Sequence, residues 1–276
     1  MKTKLFWLSI LLIFSSFSTQ THALPVEQLT PGGVALVSLP PIGTAKPRVH
    51  YNQIPVTTVQ RETHWVALVG IPLNAQSGPH EIVARWGKNG PKSRHSFKVN
   101  AKAYPEQRLT IKNKRKVNPN PTDMERIRKE QQRIRQARHS WQSTTPALTL
   151  QLPVVGRESS PFGLRRFFNN QARKPHGGLD IAAPTGTPIY APAAGLVVET
   201  GDYFFSGNCI FINHGQGLVT FYAHLHRIDV KPGQMVQTGD KIGEVGATGR
   251  VTGPHLHWSV GLNRIWVEPK LFLPTP

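Results

Sequence analysis

Apolar positions fall in short runs broken by turn residues over most of this chain, with one long interruption in the middle. Between residues 24 and 100 the runs are GGVALVSLPP, HWVALVGIPL, HEIVARW and HSFKVN, separated by PIGTAKP, NAQSGP and GKNGPKS. Short strands at that spacing predict a small β-sandwich. From about residue 146 the pattern resumes as TLQLPV, GLVVETG, NCIFINH, LVTFYAHL, KIGEVG, PHLHWSV and IWVEP, with Gly or Pro at nearly every break. This predicts one antiparallel β domain over residues 145–276, in which NCIFINH and LVTFYAHL form a hairpin across Gly215-Gln216-Gly217.

The interruption, residues 101–144, reads differently. VNPNPTDMERIRKEQQRIRQARHSW offers Thr122 as an N-cap with Glu125 three residues on, a capping box, and predicts a helix running to about Trp141. Its apolar residues Met124, Ile127, Ile134 and Trp141 make a narrow stripe among arginines, suited to weak docking on a neighbouring domain. It is expected to be a linker helix. The fold class is therefore mainly β: an N-terminal small β-sandwich, a basic linker helix and a C-terminal antiparallel β domain.

The first residues have their own pattern. Lys2 and Lys4 precede an apolar run over residues 5–17, and Thr21-His22-Ala23 follows, which predicts a signal peptide over residues 1–23 cleaved after Ala23. An uncleaved membrane anchor is the alternative. No later stretch approaches the roughly 20 apolar residues of a spanning helix. The single cysteine, Cys209, lies far from the leader, so it is no lipid-attachment site and has no partner for an internal disulfide; packing is its expected role.

At 276 residues and 38% hydrophobic content the chain can build one large or two modest cores. Its net charge of +18 is uneven: residues 101–144 alone carry +8, against +5 for 24–100 and +3 for 145–276. A basic segment in an exported protein meets anionic wall polymers or a phospholipid surface first, and a solvated connector is the plainer reading. No motif or aromatic interleaving supports nucleic-acid binding.

The chemistry concentrates in the last 110 residues. In TGPHLHWSV, alternation along a strand puts His255 and His257 on one face about 7 Å apart, with Leu256 on the other. In KPHGGLDIAAPTGTPIYAPAAG, His176 and Asp180 lie four apart, a separation of about 13 Å in a fully extended strand that Gly177-Gly178 can shorten with a bend. A His and an Asp on such a bend suit zinc, while an Asp capping its own turn is the rival. In YAHLH, His224 and His226 share a face, and alternation alone does not choose between them. Asn208, Tyr222, Arg165 and Arg166 are candidate groove residues, and His214 is expected in a turn.

Taken together, His176, Asp180, His224, His255 and His257, set in HGGLDIAAPTGTPIYAPAAG, FYAHL and TGPHLHW with SSPFGLR and NCIFINHGQGLVTFYAHL around them, resemble the lysostaphin-type (LytM-domain) zinc endopeptidases that cut cell-wall peptides. The resemblance covers about residues 150–270 without departure at a motif position. Residues 24–100 resemble, more loosely, the small β domain preceding the peptidase in some exported bacterial members. The resemblance implies one zinc ion on His176, Asp180 and His257, with His224 and His255 as the catalytic pair. Three protein ligands leave zinc a fourth position open, the arrangement of a catalytic rather than a structural site. It further implies peptidoglycan as substrate, with D-alanyl cross-links favoured over glycine bridges because no targeting module for glycine-bridged walls is present, and a location in the periplasm or cell envelope. Two other functions remain: a non-catalytic wall-binding activator of other hydrolases, whose kind has lost metal ligands, and a secreted protease acting on Gly-rich proteins. The N-terminal domain, by its position, is also a candidate cover for the groove.

Overall fold

The computed structural model describes residues 23–42 and 45–274, so the expected leader lies outside them apart from Ala23. The fold is mainly β, as the pattern predicted, with a single α-helix among the described residues. No described helix is long and apolar enough to cross a membrane.

Two sheets form the N-terminal sandwich. One holds strands Val34–Leu39, His64–Gly70 and Thr57–Arg61; the other holds Ile54–Pro55, Pro47–Tyr51, Gly78–Trp86 and Lys92–Val99. Val37, Leu39, Val49, Ile82, Ala84 and Trp86 fill the space between them. The first sheet is buried on both faces: its alternate residues Val34, Val59, Val66 and Leu68 belong to the cluster that contains Leu218, Val260, Leu262 and Val267 of the C-terminal half. Burial on both faces explains why VALVSL and WVALVG read as continuous apolar runs.

A buried polar seam completes this junction. Thr57 Oγ1 donates to the Gln216 carbonyl at 2.8 Å, and Gln216 Oε1 accepts from the Thr58 N–H at 3.1 Å. Asn263 accepts from the Gly70 N–H at 3.2 Å and donates to Thr57 Oγ1 at 3.0 Å. Gln216 and Asn263 both sit in hairpin turns at one end of the C-terminal sheet, with φ of 43° and 51°. This seam lies at the hairpin end of strand Leu218–Ile228, about six residues of strand, or about 20 Å, from His224.

The C-terminal half is one large antiparallel sheet. Its main path runs Met235–Val236, Gly195–Tyr203, Gly207–Gly215, Leu218–Ile228, Leu256–Leu262, Leu179–Ala182, Arg157–Ser160. The predicted hairpin is present, closed by Gln216 and Gly217, both with positive φ. One face packs Tyr222, Leu256, Trp258, Val260 and Leu262 into the main core. The other presents Val219, Phe221 and Ala223, with Cys209 beside them, fully buried as expected.

Two expectations fail here. Tyr222 does not line the groove: it is fully buried on the core face and its hydroxyl donates to Thr220 Oγ1 at 2.8 Å. His214 is not a turn residue but a buried member of strand Gly207–Gly215; its Nδ1–H donates to the Ala194 carbonyl and its Nε2 accepts from Thr220 Oγ1, each at 2.8 Å.

The helix is also displaced from expectation. It spans Pro121–Arg138, capped by Asn120, whose side chain accepts from the Asp123 N–H while Asp123 accepts from the Asn120 N–H. Proline at the first helical position selects this box over the Thr122/Glu125 pair, and Glu125 instead pairs with Lys129 at 2.8 Å. Met124 and Trp141 stay exposed, while Ile127 and Ala137 are buried. Ion pairs Arg133 to Glu199 at 2.6 Å and Arg126 to Asp202 at 3.4 Å tie the helix to the C-terminal sheet. Ahead of it, linker strand Glu106–Leu109 lies parallel to Arg165–Phe168.

Candidate metal centre

Three adjacent strands of the large sheet bring the motif residues together. Asp180 stands opposite His257, and His257 stands opposite Ala223, the residue before His224. His176 precedes its strand, and the Gly177-Gly178 bend returns it to the strand's own Asp180: His176 Nε2 lies 2.9 Å from Asp180 Oδ1. Gly178 is required by close approach, since a Cβ there would meet the Trp258 carbonyl at 2.5 Å and His257 Cε1 at 2.8 Å. His257 Nδ1 lies 2.7 Å from the same carboxylate oxygen and 3.0 Å from His176 Nε2. The ligand atoms of His176, Asp180 and His257 all lie within 4.8 Å of one another.

Strand Leu218–Ile228 changes partners at His224. Up to Ala223 it pairs with Leu256–Leu262, and from Leu225 with Lys241–Val245. At the switch His224 is left-handed, with φ of 68°, a strained conformation for a residue with a Cβ. Its N–H is held by the Ser206 carbonyl at 2.8 Å. Asn208 donates to the Leu225 and His226 carbonyls at 3.2 and 3.3 Å, bracing the kink instead of capping a turn. The kink resolves the ambiguity in YAHLH: the His224 ring lies 4.9 Å from that of His255 and 6.1 Å from that of His257, while His226 is exposed. His255 itself sits just outside the strand, bridged to Gly246, with Nε2 3.9 Å from Asp180 Oδ1.

Backbone carbonyls choose the tautomers. His176 Nδ1–H donates to Pro161 at 2.7 Å, His224 Nδ1–H to Thr248 at 2.8 Å, and His255 Nδ1–H to Gly253 at 2.9 Å. With the proton on Nδ1, each of these rings turns the Nε2 lone pair toward the centre. His257 is turned the other way, with Nε2 2.9 Å from Ser259 Oγ and Nδ1 inward. Burial acts to raise the Asp180 carboxyl, but the His176 and His257 rings against it more than reverse this and hold it well below the usual carboxylate range. Burial also pushes His257 down to about 4.

Two imidazole lone pairs and an ionised carboxylate oxygen therefore face one another at hydrogen-bond distance with no proton assigned between them. That donor set fits a divalent cation, and two nitrogens with one oxygen suit zinc. The second Asp180 oxygen is held by Arg166 at 2.7 Å, and Arg166 is braced by Ser160 Oγ at 3.1 Å and by Gln107 Oε1 at 2.9 Å. Arg165 points elsewhere and pairs with Glu106. Ser259, Ser160 and Gln107 were not anticipated. Ser259, two residues beyond His257 on the same strand face, was within reach of the alternation rule; Gln107 comes from the linker and carries no local signal.

Comparison with known proteins agrees with this geometry. Residues 174–269 match peptidase family M23, and residues 27–102 match the M23 N-terminal domain. A crystal structure of an M23 peptidase from Pseudomonas aeruginosa is 41% identical, with a TM-score of 0.76, over 90% of this chain and 96% of that one. The chain belongs to peptidase family M23, a family of zinc peptidases. It is also similar to the peptidoglycan DD-endopeptidase ShyA of Vibrio cholerae, 48% identical over 38% of this chain and 24% of that protein. The DD-carboxypeptidase/endopeptidase Mpg of Neisseria meningitidis is 44% identical over 45% of this chain and 29% of its own length. The chain thus aligns with under a third of the length of these curated relatives.

Proposed function

We propose that this protein is an exported zinc metalloendopeptidase that hydrolyses peptide bonds in peptidoglycan, D-alanyl cross-links in particular. One observation carries the reading: five motif side chains converge, with three of their imidazoles pinned by backbone carbonyls so that a lone pair faces the centre. Similarity to the two DD-endopeptidases supports the choice of bond. A non-catalytic activator has no use for an intact ligand set.

His176 Nε2, Asp180 Oδ1 and His257 Nδ1 would hold the ion, with Arg166 fixing the carboxylate through its other oxygen. Zinc bound there supplies Lewis acidity to the reacting water and the scissile carbonyl. His224 and His255 act beside it. In the tautomer set by Thr248 and Gly253, each accepts a proton at Nε2 and, once protonated, donates from the same atom to the developing oxyanion or the leaving amine. Burial, with His255 and His257 nearby, pushes His224 down to about 3, so it enters the reaction neutral.

The division into a leader over 1–23, a sandwich over 24–100, a basic linker over 101–144 and a peptidase over 145–276 belongs to the same proposal, as does location in the periplasm or envelope. So does contact of the linker's exposed cations with anionic wall polymers or the membrane surface; nucleic acid is not a partner.

The test is mass spectrometry of fragments released from purified sacculi by the zinc-loaded protein. Fragments ending at a D-alanyl carboxylate, absent when a chelator is added, are expected. Sacculi left with intact cross-links by protein that retains zinc would refute the reading.

A further inference from the structure

Arg250 lies in the loop whose carbonyls hold both catalytic candidates, Thr248 for His224 and Gly253 for His255. Its guanidinium sits between two phenyl rings, 4.3 Å from the centroid of Phe205 and 4.6 Å from that of Phe168. Nη1 donates to the Lys116 carbonyl at 3.3 Å, and the Arg250 N–H donates to the Phe205 carbonyl at 2.9 Å.

The charge of Arg250 is unanswered. No ion pair among the described residues includes Arg250, and the charged groups acting on it are Arg173 and Arg166. Arg166 is committed to Asp180, and Arg173 to the Ala172 and Val117 carbonyls and the Gln171 side chain. Of these three guanidinium groups only Arg166 has a carboxylate partner. Burial, then Arg173 and Arg166, lower Arg250 to about 10, which leaves it a cation at neutral pH. Ring stacking explains how the side chain is held flat; it does not explain a largely buried cation without a counter-charge, which costs free energy unless an anion arrives.

Beside it is a cavity of about 270 Å³, walled by Gly249, Arg250 and Thr252 on one side and by Thr110, Lys112 and Lys116 of the linker on the other. Lys116 Nζ donates to the Phe204 carbonyl and stands 4.0 Å over the Phe204 ring. A flat, prepositioned fork of N–H donors flanked by ammonium groups is the recognition geometry for a carboxylate.

We propose that this cavity is a carboxylate-binding subsite of the peptidase groove, in which Arg250, supported by Lys116, receives a free carboxylate on the substrate carbon next to the scissile amide nitrogen. The inference rests on the D-alanyl reading. In a cross-link from D-alanine to the second amine of a diamino dicarboxylic acid, the carbon bearing that nitrogen also bears a free carboxylate. In a glycine bridge the corresponding carbonyl is tied up as the next amide. The subsite would select the first kind of bond.

Two synthetic cross-linked peptides, identical except that this carboxylate is free in one and a carboxamide in the other, test it. Hydrolysis is measured with the zinc-loaded wild-type chain, Arg250→Gln and Arg250→Lys, and binding is measured by calorimetry on the chelated proteins. The wild type should favour the free carboxylate by about 10- to 100-fold in kcat/KM, chiefly through KM, as expected for a charge-assisted hydrogen bond. Arg250→Gln should lose that preference in both hydrolysis and binding, its loss falling mainly on the free-carboxylate peptide, and Arg250→Lys should fall between. Equal cleavage of both peptides by the wild type, or an equal loss on both in Arg250→Gln, reduces Arg250 to a brace and leaves the endopeptidase reading intact. Cleavage of neither by zinc-loaded protein overturns both.

Discussion

The sandwich and the peptidase sheet of this chain are both antiparallel and both carry several histidines, yet only the second concentrates them. In the sandwich His80 uses both ring nitrogens on ordinary partners, the Tyr51 hydroxyl at 2.7 Å and the Gln76 carbonyl at 2.8 Å, and His95 meets Ser93 Oγ at 2.7 Å. None of these faces a carboxylate. In the peptidase sheet each of three histidines commits its N–H to a backbone carbonyl and keeps the other nitrogen for a point shared with Asp180. What separates a site from a histidine-bearing surface is thus the fate of the second nitrogen. The number of imidazoles is similar in both halves.

The sharpest break in the comparison comes from the ligands. Asp180→Ala or His257→Ala should abolish zinc retention and lower hydrolysis by well over the roughly 100-fold that outer partners of a metal ligand are worth. His80→Ala and His95→Ala should leave both unchanged. Metal content by atomic absorption and release of fragments from sacculi measure the two. Zinc retained without Asp180 would mean that the ion binds elsewhere.

Next in size are the two histidines beside the centre. His224→Ala and His255→Ala should keep stoichiometric zinc and lose about 10²- to 10⁴-fold in kcat, the usual value of a positioned acid or base. Loss of zinc in either variant would make that residue a ligand and redraw the division of roles.

A smaller effect tests how far the site extends. Gln107 belongs to the linker strand Glu106–Leu109, and it reaches the metal centre through Arg166, which holds Asp180, and through Ser160. Arg166→Gln should weaken zinc affinity by about 10- to 100-fold, and Gln107→Ala by less, measured by competition with a fluorescent chelator. Unchanged affinity in both would confine the site to the peptidase half.

How much of this could be read in the chain beforehand depends on how local each signal is. The Gly215-Gln216-Gly217 hairpin and the pairing of His255 with His257 rest on neighbours in sequence and were legible. Gly177-Gly178 was legible as a bend, but the reason that glycine stands at 178, the Trp258 carbonyl against its missing Cβ, belongs to a strand 80 residues away. Strict alternation puts Tyr222 and His224 on one face; the left-handed backbone at His224 breaks it, so Tyr222 stays in the core while His224 turns to the site. The helix start was ambiguous because two capping boxes overlap, and Pro121 decides between them. WVALVG carried its message in plain view: an uninterrupted apolar run signals a sheet covered on both faces, here by the peptidase core. Nothing local announces Gln107 or the unanswered charge of Arg250, since both depend on which distant segments the fold sets side by side.

The last effect falls on stability alone and concerns a histidine of the peptidase sheet that resembles those of the sandwich in having both nitrogens occupied. His214 is fully enclosed, and burial pushes it down to about 4, only partly offset by its bond to the Ala194 carbonyl. In the unfolded chain the same group titrates near 6.5. Between these values the unfolded state binds the proton and the folded state does not, so stability is full above about pH 6.5 and falls as pH drops toward 4. The gap corresponds to about 3 kcal/mol. His214→Gln, which has no titrating ring, should lose that component. The wild-type minus variant unfolding free energy, measured by urea titration at constant zinc, should therefore decline from pH 7 to pH 4 and then level off. A difference that stays constant across this range would show that His214 takes its proton as readily folded as unfolded, and acid sensitivity would then have to come from the histidines of the metal centre.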